Sequence, residues 1–243
     1  MKSRSLWTGC LVTFVAVLFF LGLSGIVLAL LGKGTFFSPR ERVGVVEIKG
    51  LLTDSRTVIK QLDRYRDDDS IKAIVLRINS PGGAVGPAQE ILREVERIRA
   101  KKQIVASLGT VAASGGYYIA SGTNLIMANR GTVTGSIGVI MQFTNVEGLT
   151  KKIGLDLFNL KAGRYKDAGS PFRPMSPEDK AYLQVFLDNI YQQFLSDVAH
   201  NRKIPLAKMK TLAEGRIYTG EEAKQAGLVD EFDGTFPSLP LSP

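Results

Sequence analysis

The 243-residue chain has one cysteine, Cys10, and one histidine, His200. A single cysteine rules out a disulfide within the chain and a cysteine metal cluster. A single histidine rules out a His-rich metal site. It also leaves one position for the base that usually serves a serine nucleophile. His200 falls late in a long amphipathic stretch, Ser196-Asp197-Val198-Ala199-His200-Asn201-Arg202, and there it reads as a solvated residue of a last helical turn. No dense basic run is present. The 31 Lys and Arg stand against 23 Asp and Glu, and the resulting net charge of +8 is spread along the chain. That gives nucleic-acid binding little support. No internal repeat is found, nothing marks a second globular domain, and neither metal nor cofactor is expected.

Charge is absent from one long stretch. No charged side chain lies between Arg4 and Lys33, and residues 6–31 are almost wholly apolar. A membrane-spanning helix needs ~20 apolar residues, whereas the apolar core of a cleaved signal peptide is roughly 7–15 residues long. An uncleaved anchor over 6–31 is therefore expected, after a flank of 1–5. The flanking charges set no clear orientation: Lys2 and Arg4 precede the stretch, and Lys33, Arg40 and Arg42 follow it. Residues 32–42, with Gly34 and Pro39, read as a linker, and the proline-rich 234–243 as a disordered tail.

Between them, residues 43–233 alternate strand and helix patterns. Strands are expected at 43–48, 71–78, 103–108, 125–128, 155–160 and 228–232. The run Ile71–Ile78 is rich in β-branched residues, the pattern of a buried parallel strand. Helices are expected from Asp54 or Ser55 to about 66, over 87–101, 116–121 and 146–153, and from Ser176-Pro177 to about 202. A shorter one opens at Thr219-Gly220. In the second of these, Ile91, Leu92, Val95 and Ile98 recur at three and four. The alternation argues for one α/β domain with mostly parallel strands.

The chemistry centres on Ala112-Ala113-Ser114-Gly115-Gly116-Tyr117-Tyr118, between an expected strand and an expected helix. A serine there can serve simply as a helix N-cap. It can also be a nucleophile, with helix N–H groups near enough to hold an oxyanion. A second glycine turn, Pro81-Gly82-Gly83, follows another expected strand, so the Gly83 and Gly115 N–H groups could form a two-donor oxyanion hole. With His200 an unpromising base, a lysine is the remaining kind of partner, since a neutral amine can take the proton in a serine–lysine dyad. Lys166, in Gly163-Arg164-Tyr165-Lys166-Asp167, stands out among the lysines, but the residues alone do not single it out. Ser136 reads equally as a turn serine between glycines.

Five segments in order carry a resemblance: NSPGGAV at 79–85, AASGGYYIA at 112–120, TGSIGVI at 134–140, GRYKD at 163–167 and GRIYTGEEAKQAGLV at 215–229. Together they resemble the Ser-Lys signal peptide peptidases of the SppA type, in the short, single-copy form. The resemblance implies a ClpP/crotonase-like α/β spiral with Ser114 as nucleophile and Lys166 as general base. It implies that Ser136 holds the lysine amine and that Gly83 and Gly115 donate to the oxyanion. It further implies a homo-oligomeric ring in which each lysine serves a neighbour's serine. Its substrates would be apolar peptides such as cleaved signal peptides, handled outside the cytoplasmic membrane. Two other readings share the superfold: a crotonase-like acyl-CoA enzyme, and a catalytically idle membrane scaffold that binds peptides.

Overall fold

The computed structural model describes residues 13–25 and 41–232. The chain divides into two units, Met1–Glu41 and Arg42–Pro243. In the first, residues 13–25 form a helix (α1) whose apolar side chains, Phe14, Phe19 and Phe20 among them, are exposed. Among the described residues no helix is long and apolar enough to cross a membrane. The rest of the 6–31 stretch lies outside the described residues, as do the flank 1–5, nearly all of the linker and the 234–243 tail.

The second unit is built on seven strands: β1 (Arg42–Lys49), β2 (Ile71–Ser80), β3 (Gln103–Ala113), β4 (Leu125–Ala128), β5 (Val133–Gly135), β6 (Ile217–Thr219) and β7 (Glu231–Phe232). The sheet runs β1-β2-β3-β4-β7, with every neighbour parallel. β3 changes partner along its length: Val105–Ser107 pair with β4, while Val111–Ala113 pair with β5. β6 then adds antiparallel to β5. The expected mostly parallel α/β architecture is thus present.

Helices α2 (Arg56–Asp67) and α3 (Val85–Arg99) connect β1 to β2 and β2 to β3; α4 (Gly115–Ser121) follows β3 directly. Of the two expected caps, Ser55 occupies the N-cap position of α2 without a side-chain capping bond, while Asp54 Oδ1, one residue earlier, accepts the Arg56 N–H at 2.8 Å. Ile91, Leu92, Val95 and Ile98 of α3 are completely buried. Burial of one such side chain contributes about 1.5–3 kcal/mol. After α5 (Glu147–Lys152) comes the 26-residue α6 (Pro177–Arg202). Its start is a reciprocal capping box between Ser176 and Asp179, with proline in the first turn.

Several expectations shift. β2 is buried on one face only: Ile74, Leu76 and Ile78 are inside, whereas Val75 and Arg77 are half-buried. β2 and β3 both run beyond their expected ends, as far as the two glycine turns. No strand forms at 155–160: Leu155, Leu157, Phe158 and Leu160 are exposed, and no strand among the described residues lies beside them to complete a ladder. A helix not anticipated, α7 (Leu206–Leu212), precedes β6 and α8 (Gly220–Ala226).

Candidate active site

Because β2 and β3 are parallel, both end at the same edge of the sheet, where open α/β sheets place their ligands. Ser80 at the end of β2 pairs with Ala112. The turns that follow are pressed together. A Cβ on Gly82 would lie 2.7 Å from the Gly115 nitrogen and 2.9 Å from Ser114 Cβ. One on Gly83, where φ is +151°, would lie 2.2 Å from the Leu52 carbonyl oxygen. Only glycine lets the two turns meet at that distance. The first turn is fixed by Ser80, whose Oγ donates to the Gly50 carbonyl at 2.6 Å and accepts the Gly82 N–H at 3.1 Å.

Ser114 sits where a helix cap would sit, but its side chain makes no capping bond to α4. Its backbone is at φ 51°, ψ −121°, a conformation that costs of order 1–3 kcal/mol for a non-glycine residue. The surroundings hold it there. The Ser114 N–H donates to the Gly135 carbonyl at 2.8 Å and the Ser114 carbonyl accepts the Tyr118 N–H at 2.8 Å. Strand pairing, not capping, therefore sets the direction of this hydroxyl. The amides of Gly83 and Gly115 have no hydrogen-bond acceptor among the described residues. Ser136, also at positive φ (52°), is anchored through its N–H to the Arg216 carbonyl at 2.7 Å.

Two clefts open at Ser114. One, of about 560 Å³, is lined by Gly83 and Gly115 and by apolar groups, chiefly Val85, Ala88, Ile190 and Phe194, with Tyr118 at its wall. Tyr118 packs edge-on to Phe194 with ring centroids 4.6 Å apart, and its hydroxyl donates to Asp197. Burial, then the Asp197 bond, raises the pKa of the Tyr118 phenol. The other cleft, of about 1160 Å³, brings Ser114 and Ser136 together beside Tyr191, Asp188 and Glu214. Tyr191 donates to the Ala213 carbonyl at 2.6 Å.

The structure thus collects Ser114, Ser136, Gly83 and Gly115. Lys166 lines neither cleft. It is exposed, on a loop whose own depression is formed by residues 159–161 and 166–170. His200 is exposed on α6 and lines neither cleft. Sequence reasoning missed the pocket residues Tyr118 and Phe194 as a pair, because they meet only when α4 packs on α6. It also missed Arg173, whose contacts with Asp167 and Asp179 span six residues each way, a spacing with no secondary-structure period.

A mostly parallel sheet with a strained serine and two glycine turns at its edge defines a ClpP-like α/β peptidase architecture, and residues 45–142 match the Clp protease family. Residues 96–236 match peptidase family S49, and the chain belongs to that family. A Synechocystis sp. protein carrying a provisional protease name is 42% identical over 195 residues, which are 79% of this chain and 70% of that one. A Methanocaldococcus jannaschii protein, also provisionally named a protease, is 42% identical over 178 residues, 73% of this chain and 57% of its own. The chloroplastic serine protease SPPA of Arabidopsis thaliana is 34% identical over 200 residues, 82% of this chain and 30% of its own. The chain thus spans from under a third to about two thirds of the length of these relatives.

Proposed function

We propose that the protein is a membrane-anchored serine endopeptidase with a Ser114–Lys166 dyad. The observation that carries this reading is Ser114 itself, a serine in a costly backbone conformation whose hydroxyl makes no cap, beside two open amides and an apolar cleft. Strain held by the surrounding structure is characteristic of functional positions.

In the reaction, Ser114 Oγ bonds to the peptide carbonyl carbon as Lys166 Nζ takes its proton. The oxyanion lies against the Gly83 and Gly115 N–H groups, each worth about 2.7–4 kcal/mol in the transition state. The C–N bond then breaks, and Lys166 returns the proton to the leaving amine. Water gives a proton to Lys166 and attacks the ester carbonyl, and the acid departs as Ser114 recovers its hydrogen. Ser136 accepts from or donates to the lysine amine and holds it in place. The apolar cleft takes an apolar side chain next to the scissile bond, which suits short apolar peptides such as cleaved signal peptides.

The lysine comes from a neighbouring copy in a homo-oligomeric ring. Two observations support this: Lys166 lines neither cleft, and large apolar side chains between 140 and 186, such as Ile140, Phe158, Leu160 and Val185, are left exposed. Apolar surface on that scale marks an interaction site. The apolar stretch 6–31 anchors the chain in the cytoplasmic membrane, with the catalytic unit on the outer side.

The test uses the full-length chain in detergent with casein as substrate, comparing wild type, Ser114→Ala, Lys166→Ala and a mixture of the two variants. Loss of cleavage in each variant and its return in the mixture is expected. Retained cleavage in either variant refutes the dyad, and an inert mixture of folded variants refutes sharing.

A further inference from the structure

The loop bearing Lys166 is exposed, yet the residues on either side of the lysine are both held. Tyr165 stacks on Tyr182 of α6, with ring centroids 4.5 Å apart and 11° between the planes. Asp167 is gripped by Arg173. The guanidinium Nε donates to Asp167 Oδ2 at 2.9 Å, and Nη2 donates to Oδ1 at 3.0 Å and to the Asp167 carbonyl at 3.2 Å. Its Nη1 donates to Asp179 Oδ2 at 2.5 Å and to the Pro174 carbonyl at 3.0 Å. A guanidinium has five N–H donors in a fixed fork, and all are used. Asp179 is also the acidic half of the α6 capping box. One side chain therefore ties the residue after Lys166 to the start of the 26-residue α6.

Two further cations of the loop flank this arrangement. Lys161 also donates to Asp167, and Arg164 lies over the Tyr165 ring. Arg173, then Lys161, hold the Asp167 carboxyl well below the usual carboxylate range. The Asp167 charge is thus engaged by cations, not left facing the neighbouring lysine.

We infer that Arg173 is a positioning residue for Lys166: its five-bond clamp fixes the direction in which the lysine leaves the surface and takes up the Asp167 charge beside it. This rests on the proposed role of Lys166 as base. A base presented to another subunit cannot be steered by contacts in its own cleft, so its aim must be set at its root. Misplacement of a reacting group by about 1 Å can lower a rate 10²-fold.

The test compares full-length Arg173→Ala and Arg173→Lys with wild type, using Ser114→Ala and Lys166→Ala as references, with assembly followed by light scattering. Lysine keeps the charge but not the fork. Both Arg173 variants are expected to assemble and to lose about 10²-fold in kcat with KM little changed. The acid limb of the pH–rate profile should move to higher pH, further for alanine than for lysine. Ser114→Ala protomers, which bring an intact lysine loop, should restore Arg173→Ala; Lys166→Ala protomers should not. Full activity in Arg173→Ala overturns the inference. So does a reduced rate with an unmoved pH profile, the mark of a merely structural role, or rescue by Lys166→Ala protomers instead. Should Arg173→Ala not assemble, Arg173→Lys decides by the same criteria. Activity surviving in Ser114→Ala or Lys166→Ala removes the dyad itself, and the inference falls with it. If the two references fail to complement each other, sharing fails, and the pH profile alone decides on Arg173.

Discussion

The Ser114 turn and the Lys166 loop are held in opposite ways. The serine turn is made of main chain. Its geometry is set by strand pairing to β5, by the Ser80 bonds and by glycines too close to a neighbour to carry a side chain. The lysine loop borders no strand among the described residues and buries little. Its main-chain bonds close only local turns, such as the Lys166 N–H to the Gly163 carbonyl at 3.2 Å, and what ties it to α6 is side chains: a tyrosine stack and a guanidinium clamp. Main-chain positioning suits a group whose partners lie in the same sheet. Side-chain positioning suits a group that projects from the surface.

The sharpest way to break this contrast is to remove the nucleophile. Ser114→Ala should abolish casein cleavage, a fall of the order of 10⁶ in kcat when such a group is lost, with the melting temperature little changed, because alanine keeps the Cβ and with it the backbone strain. Unaltered turnover would move the chemistry elsewhere. Next comes Gly83→Ala, which places a methyl 2.2 Å from the Leu52 carbonyl oxygen. The turn must shift, and loss of one oxyanion donor lowers kcat about 10²–10³-fold; a rate within a few-fold of wild type would show that this amide takes no part.

The lysine loop should respond to pH in a defined way. The Asp167 pKa is depressed in the folded protein, so the clamp contributes above the unfolded carboxylate value of about 3.9. It is lost only as the pH falls through the lower folded value. Hydrogen-exchange protection in the loop, corrected for intrinsic rates, should stay level from pH 8 to pH 5. Protection that fades by pH 5 would show that the carboxylate is not clamped. The smallest effect is expected at the helix to which the clamp is tied. Ser176→Ala removes the capping hydroxyl that accepts the Asp179 N–H at 3.0 Å and should lower stability by about 1 kcal/mol in urea unfolding.

Much of the serine side was legible in the sequence, for the same reason that it is rigid. Apolar and β-branched runs, paired glycines after strands and Ser-Pro before a helix are local signals, and the starts of β2 and β3, both turns and the start of α6 fall where those signals put them, although both strands run past their expected ends. Lys166 carries no such signal. A lysine in a loop takes its meaning from what it faces, so the resemblance was needed to name it. Over-reading occurred where a local pattern lacked a partner. Leu155-Asp156-Leu157-Phe158 alternates like a strand, but no neighbouring strand among the described residues satisfies its backbone. Under-reading occurred at α7, a short helix whose N-cap position is proline and makes no side-chain cap bond.

The open amides of Gly83 and Gly115 have a consequence for descent. A main-chain N–H has no codon of its own: every residue except proline supplies one. Substitution at these positions can displace the proposed oxyanion donors but seldom delete them, whereas one base change can erase a serine or a lysine. Lineages that abandon turnover should therefore lose Ser114 or Lys166 first and keep the paired glycine turns as a vestige. In an inactive descendant of this chain, those turns would record the lost chemistry longer than its reactive side chains.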